Sequence, residues 1–342
     1  MDWSSKVTFQ EFCDFCEKIE NVKKEGNNNM LVKEGDKLKK FTKDDQITRK
    51  MRMFLAKCRR LVPADQSLYP IIRLMLPFQD KARGSYRMKE SVLADVYIDF
   101  LQLGKTSKDA LRLKNYRAPK PNDKEVAGDF ASELYEVVRD GRSYDGLNLR
   151  TITCADINRT LDDIVGETEG RKAVGAILKD LFKNTGAVQQ KWFVRLILKQ
   201  MKFTDVKVFN ALHPDAREMF ECNADLVAVC RALPDPDTPA AHLTIQLMSV
   251  FKPMLADRKS NIERVAEAAG GEFFIDTKYD GERWQLHWRG EECRVFSRNG
   301  HEFTSDYTNF TSLVPTFLAP SVQDIILVST ANHCSIVANC FV

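Results

Sequence analysis

Three prolines within the six residues Pro234-Asp235-Pro236-Asp237-Thr238-Pro239 divide this chain into two stretches that cannot share one architecture. Each proline ring fixes φ and removes an amide donor, so a helix arriving from upstream has to end there. Upstream, from about residue 7 to about residue 232, apolar residues return at helical spacing between polar loops. Ser91 to Leu103 sets Val92, Val96, Phe100 and Leu103 on one face, with Leu93, Tyr97 and Leu101 beside them. Ser85 is the expected cap of that helix and Gly104 its expected stop. The same period recurs over 171–182 and 191–201. Between Lys23 and Gln46 the chain is polar, includes Asn27-Asn28-Asn29 and reads as a loose insertion.

Downstream the period falls towards two. Trp284, Leu286 and Trp288 alternate with Gln285 and His287, the pattern of a half-buried strand. Arg289-Gly290-Glu291-Glu292 turns the chain, and Cys293 to Ser297 supplies the hairpin partner. The expected fold class is therefore multidomain, α followed by α+β. With 342 residues, 44% of them hydrophobic and 29% charged, the chain has room for two domains. A net charge of +3 sets up no global field, so any nucleic-acid contact must come from local patches. The opening residues Met1 to Lys6 lack the apolar core of a secretory signal. Nine scattered cysteines fit reduced thiols in an intracellular compartment. Cys13 and Cys16 form a lone C-x-x-C on an amphipathic stretch. Without a second ligand pair or a βαβ context they read as buried packing.

The chemistry concentrates in Asp276-Thr277-Lys278-Tyr279-Asp280-Gly281-Glu282-Arg283. Phe273-Phe274-Ile275 reads as a buried strand leading into it, and Asp280-Gly281 as a tight turn that aims Lys278 into a cleft. Arg283 adds a fixed fork of donors suited to phosphate or carboxylate. A nucleophilic amine beside a phosphate-binding group points to attack on a nucleotide phosphorus. A free lysine is only about 0.04% neutral at pH 7, so such a site must depress its pKa through burial or nearby positive charge.

This run resembles the K-x-D-G signature of the covalent nucleotidyltransferases, which comprise ATP-dependent DNA ligases, RNA ligases and mRNA capping enzymes. Phe296-Ser297-Arg298-Asn299-Gly300 lies at the spacing of the next ligase motif. Phe251-Lys252-Pro253-Met254-Leu255-Ala256 resembles the lead-in to the adenylation domain of eukaryotic DNA ligases. With the helical region ahead of them, these motifs make the chain similar to the ATP-dependent DNA ligases, nearest the end-joining ligase IV branch, as far as about Leu327. The resemblance implies an all-helical DNA-binding domain over 1–240, the beginning of an adenylation domain over 241–327 and a divergent apolar tail over 328–342. It implies Lys278 as the adenylated nucleophile, with Asp276, Thr277 and Tyr279 lining the ATP pocket. Arg283 would hold ribose or phosphate, and Arg298 the 5′-phosphate at a nick. ATP and Mg²⁺ follow as cofactors, with no metal ligands expected within this chain. Duplex DNA with nicks or broken ends follows as the partner, and non-homologous end joining in the nucleus as the setting.

For DNA contact, Lys191, Arg195, Lys199 and Lys202 recur at spacings of four, four and three on one predicted helix. Trp192, Phe193, Leu196, Ile197 and Met201 occupy its other face. That is the design of a helix laid against phosphates, or else the solvated face of a core helix. Gly128, in Ala127-Gly128-Asp129-Phe130-Ala131, resembles a family loop where glycine permits close backbone approach, and Asp129 is placed to cap the next helix. Thr204 stands where family members carry a glycine.

After Asp324-Ile325-Ile326-Leu327 a ligase would continue with Asp-Gly-Glu, whereas this chain reads Val328-Ser329-Thr330. From Ile325 to Val342 there is no Asp, Glu, Lys or Arg. The expectation is a shortened product, by truncation, alternative splicing or an error of gene prediction, without the family's remaining pocket residues or its C-terminal scaffold-binding regions. A membrane anchor is set aside because Asn332, His333 and Asn339 would lie inside it. A ligase too shortened to seal DNA alone is thus the leading reading. A catalytically silent DNA-binding or regulatory fragment is the first alternative, and an RNA ligase or capping enzyme the second.

Overall fold

Free amides at several helix starts are met by side chains written next to them in the sequence. In the computed structural model, Thr42 Oγ1 accepts the Asp45 amide at 3.2 Å while the Asp45 carboxylate accepts the Thr42 amide at 2.9 Å. Thr153 and Asp156 close the same reciprocal box at 3.2 and 3.0 Å. Ser107 and Asp225 cap two further helices. Each such cap contributes about 1 kcal/mol.

The structure describes residues 2–24, 30–34, 37–117, 129–139, 150–167, 170–237, 239, 245–252, 258–275, 281–298, 300–332 and 335–341, with only the backbone described at 30–34, 37–41, 171, 329–332 and 335–341. It divides into two compact units, Met1–Arg217 with Asp225–Ala240, and Glu218–Ala224 with Ala241–Val342.

The first unit contains α1 (Phe9–Lys24), α2 (Lys43–Arg59), α3 (Tyr69–Met75), α4 (Glu90–Phe100), α5 (Lys108–Lys114), α6 (Phe130–Arg139), α7 (Cys154–Gly166), α8 (Arg171–Lys183), α9 (Ala187–Ile197) and α10 (Asp205–Leu212). Helix α11 (Ala216–Asn223) runs across the division, and α12 (Leu226–Ala232) returns to the first unit. Phe12, Phe15 and Phe54 join α1 to α2, with the Phe15 and Phe54 rings stacked at 4.3 Å. Cys13 and Cys16 are fully buried on the inner face of α1, where burial pushes both thiols up, as packing residues should be.

Several expectations need correction. The 23–46 insertion is not loose throughout, because β1 (Met30–Glu34) and β2 (Lys37–Phe41) form an antiparallel hairpin pairing Met30 with Phe41 and Glu34 with Lys37. Asn27, Asn28 and Asn29 lie outside the described residues. Helix α4 starts at Glu90 with no side-chain cap, and Ser85 Oγ instead accepts the Arg87 amide at 3.3 Å. Its inner face is centred on Leu93, Ala94, Tyr97 and Ile98, one position round from the predicted stripe. Tyr97 decides the rotation, since its ring packs against Phe182 at 6.0 Å and its hydroxyl bonds Gln190.

The largest correction concerns α9. The helix stops at Ile197, and Lys199 follows it with a left-handed φ of 54°. Lys191 and Arg195 are 6% and 0% exposed, so they form no solvated basic stripe. Arg195 lays both terminal nitrogens on the Glu20 carboxylate of α1, each at 3.1 Å, and its Nε on Asp129 at 3.2 Å. Lys191 donates to Glu17 at 2.6 Å and Glu20 at 2.7 Å, and Trp192 Nε1 donates to Glu17 at 2.6 Å. The physical reason is complementarity: two cations and three acids converge between α1, α6 and α9, and the fork of Arg195 matches a carboxylate.

Burial alone would raise the Glu20 pKa, but hydrogen bonds from Arg195 and Lys191 outweigh it and hold the carboxyl at about 2. Removing one partner of such a group strands a buried charge, which costs about 3–5 kcal/mol. Arg195→Leu should therefore lower the stability of the first unit by about that amount. Native-state hydrogen exchange of α1 and α9 amides checks it, and unchanged exchange would show that the clamp contributes little.

Candidate nucleotide and DNA site

In the second unit, β3 (Glu282–Arg289) turns through Gly290, whose φ of 57° suits the tight reversal, into β4 (Glu292–Ser297). The pairing runs from Trp284 with Ser297 to Arg289 with Glu292. The other edge of β3 pairs with β5 (Asp324–Asn332), and β5 with β6 (Ser335–Phe341), giving the order β4-β3-β5-β6. Residues 328–332 thus continue a strand rather than leave the sheet, and 335–341 supply its edge. Trp284, Leu286 and Trp288 face a core of Val295, Val314 and Ile325, and Phe310 meets Trp284 edge-on at 5.5 Å.

The expected half-buried strand is buried on both faces. Gln285 and His287 are covered by the segment 246–251. His287 Nδ1 accepts the Met248 amide at 3.1 Å, and its Nε2 lies 3.3 Å from Gln285 Oε1. Gln285 in turn accepts the Phe251 amide and donates to the Phe251 carbonyl. Polar side chains on the second face serve as ladder rungs for a loop, which alternation alone reads as solvent exposure.

Phe273, Phe274 and Ile275 also depart from expectation: they are exposed and outside any strand. Both edges of β3 are already taken, so this segment finds no place beside it. Helix α13 (Ile262–Ala269), just before it, likewise has no buried residue.

The predicted site residues divide into described and undescribed groups. Asp276, Thr277, Lys278 and Tyr279 lie outside the described residues, as does Gly128. Arg283 is half-buried at the start of β3, and its Nε is buried with no hydrogen-bond partner among the described residues. Arg298 is exposed just past the last β3–β4 pair. Its turn is closed by Ser297, whose amide donates to the His301 carbonyl at 2.9 Å and whose hydroxyl accepts the His301 amide at 3.0 Å. Gly300 takes a φ of 77° there. Burial and then the Arg298 guanidinium both push the Arg283 pKa down, so the two positive charges feel each other. Two guanidinium groups at one end of the hairpin, one with an idle buried donor, have the chemistry to accept an anion. Arg283 is five positions on from Lys278 in the chain, at most about 18 Å of extended backbone.

In the first unit Asp129 directly precedes α6, but its carboxylate serves Arg195 and the Ser132 hydroxyl rather than only the helix start. Lys199 is half-buried beside the Tyr86 ring, and Lys202 lies 3.7 Å from Asp129. Sequence reasoning missed Glu17, Glu20 and His287. Acids at 17 and 20 inside an otherwise apolar helix face were the signal for the first two.

Comparison with known proteins places these features. Residues 8–213 match the family described as DNA ligase N terminus, and residues 253–329 match the ATP dependent DNA ligase domain. The chain belongs to the ATP-dependent DNA ligase family. It is 33% identical to DNA ligase 4 of Gallus gallus over 327 residues, 94% of this chain and 34% of that protein. Against DNA ligase 4 of Homo sapiens it is 34% identical over 301 residues, 86% of this chain and 32% of that protein. Against DNA ligase 4 of Dictyostelium discoideum the values are 30% over 348 residues, 91% and 30%. The chain spans about a third of the length of the curated relatives it matches.

A ligase-family reaction implies a divalent ion, yet among the described residues no group of three or more His, Cys, Asp or Glu could hold one. Among the described residues, no helix is long and apolar enough to cross a membrane.

His287 yields a pH dependence. Burial pulls its pKa down from 6.5 to about 4. Above 6.5 both folded and unfolded forms are neutral; below it the unfolded form binds a proton that the folded form refuses. The second unit should therefore lose about 3 kcal/mol as pH falls from 6.5 towards 4. Denaturant unfolding across that range tests this. His287→Gln should flatten the dependence, and an equally steep curve in the variant would assign it elsewhere.

Proposed function

We propose that this chain acts in ATP-dependent DNA joining of the DNA ligase 4 kind, with Lys278 as the nucleophile. Neutral Lys278 Nζ attacks the α-phosphorus of ATP, the nitrogen–phosphorus bond forms, pyrophosphate leaves with the broken P–O electrons, and the amine gives up a proton. The AMP then passes from lysine to a DNA 5′-phosphate, and a 3′-hydroxyl displaces it to seal the strand. Asp276, Thr277 and Tyr279 frame the nucleotide beside Lys278, while Arg283 binds ribose or phosphate. Arg298 takes the 5′-phosphate at the break. The helical first unit holds the duplex. We place the activity in repair of double-strand breaks by end joining in the nucleus.

The observation that carries the reading is the arginine edge. Arg283, at the start of β3, and Arg298, just past β4, stand at the same end of the hairpin and feel each other's charge, inside the stretch matched as an ATP dependent DNA ligase domain. Positive charge there also serves the nucleophile, because a cationic neighbourhood favours the neutral amine. An RNA ligase or capping role gains no support, since residues 8–213 match the DNA ligase N terminus.

Incubation with ATP labelled at the α-phosphate, followed by denaturing electrophoresis, tests the proposal. The chain should retain a covalent label that Lys278→Ala abolishes and Arg283→Ala slows by about 100-fold. Absence of label from the unaltered chain would overturn the lysine–AMP route and leave a silent DNA-binding module.

A further inference from the structure

A groove of about 610 Å³ opens in the first unit where the loop 64–67, the first turn of α3 and helix α12 come together. Its floor is apolar and held in place. Trp3 is buried there with Nε1 donating to the Ser67 carbonyl at 3.0 Å. Pro70 stands in the first turn of α3 with its φ fixed by the ring, and Val227 of α12 and Pro234 also line the space. A second cavity of about 260 Å³ continues the groove. Asp2, Tyr69 and Pro70 line both, and the continuation runs on to Arg73 of α3 and to Ala155 and Asp162 of α7. Asn158 Nδ2 donates to the Pro70 carbonyl at 2.9 Å, which ties α7 to α3 along this wall. Two joined cavities make an elongated space, suited to an extended chain more than to a compact ligand.

The charges on its rim are unevenly satisfied. Asp65 and Arg231 line the larger cavity, and neither side chain has a hydrogen-bond or ion-pair partner among the described residues. Asp2 engages only Oδ1, on the Ser4 amide at 2.9 Å and the Ser4 hydroxyl at 2.8 Å, which leaves Oδ2 open. In the smaller cavity the cations are already matched, Arg73 by Asp80 and Asp162 and Arg159 by Asp156. Two open carboxylates and one open guanidinium above an apolar floor determine what fits. A phosphate chain is repelled by Asp2 and Asp65. A polyamine meets the carboxylates but offers nothing to Arg231 or to the floor. A peptide supplies all three needs: a basic side chain for the carboxylates, main-chain carbonyls for Arg231, and an apolar side chain for the floor. In an extended chain successive side chains point to opposite sides, so one reaches the acidic rim while its neighbour reaches the floor.

We propose that this groove binds an extended segment of a partner protein in which a lysine or arginine adjoins an apolar residue. Asp2 and Asp65 take the basic side chain, Arg231 takes main-chain carbonyls, and Trp3, Pro70 and Val227 receive the apolar neighbour. The inference is independent of the lysine–AMP route and of DNA binding.

The probe is a blocked hexapeptide of alternating leucine and arginine, titrated into the nitrogen-15-labelled full chain. The readout is the indole Nε1–H resonance of Trp3, one of four tryptophans, assigned with Trp3→Phe. That resonance should shift saturably as peptide is added. Asp65→Asn should weaken binding by about five-fold, and Asp2→Asn with Asp65→Asn by about 25-fold. Asparagine keeps the oxygen that caps the opening turn, so the first change leaves the fold intact. If the double variant nevertheless unfolds, Asp65→Asn alone decides. The leucine–glutamate hexapeptide should not bind. Blocked arginine and spermidine should each bind about ten-fold more weakly, because neither buries an apolar side chain. Equal binding by either would overturn the peptide reading in favour of a simple cation site. A Trp3 shift that follows the protein's own concentration without peptide would assign the groove to a second copy and overturn it likewise. An unmoved Trp3 resonance, or equal affinity in the folded Asp65→Asn chain, would also overturn it.

Discussion

Arg195 of α9 lies at the centre of the first unit, gripping Glu20 of α1 in a two-toothed pair and Asp129 at the head of α6. Placing that many charges out of water is costly, and only geometry that occupies each donor makes the cost tolerable. Here the three guanidinium nitrogens and the Lys191 ammonium all find acceptors, while Trp192 and Tyr135 lay their rings beside the cations. The consequence is registration. Elements far apart in the chain, α1, α9 and the start of α6, are held at one relative position. The role of Arg195 that the structure shows is to join these elements.

The second unit depends on a different constraint. Strand β3 is covered on both sides, by a tryptophan and leucine core on one face and by the loop 246–251 hydrogen-bonded to Gln285 and His287 on the other. Arg283 opens β3 and Arg298 follows β4 at the same end of this hairpin.

Much of this was legible from local signals. The helix over 171–182, the β3–β4 hairpin and its Gly290 turn follow from periodicity and turn chemistry, whereas the helix expected over 191–201 lies four residues earlier, at Ala187–Ile197. What was not legible was decided at long range. Lys191 and Arg195 have the spacing of a DNA-facing stripe, and nothing near them reveals partners on α1, some 171 to 175 positions away. His287 likewise alternates as a solvent-facing residue until Met248 is brought to its ring. Phe273 to Ile275 illustrates the reverse case, since an apolar run reads as a strand but a strand needs a free neighbour. Charge and hydrophobicity name a residue's need; tertiary pairing determines how it is met.

The claim that most of this account depends on is that α9 points its cations inward. A carbon-13 NMR titration of the Glu20 carboxyl carbon, assigned with Glu20→Gln, tests it directly. The account predicts a carboxylate that stays ionised down to about pH 2 or until the first unit unfolds. Titration near the ordinary value of 4.5 in the folded protein would contradict it, and would return Lys191 and Arg195 to the surface as candidates for DNA contact.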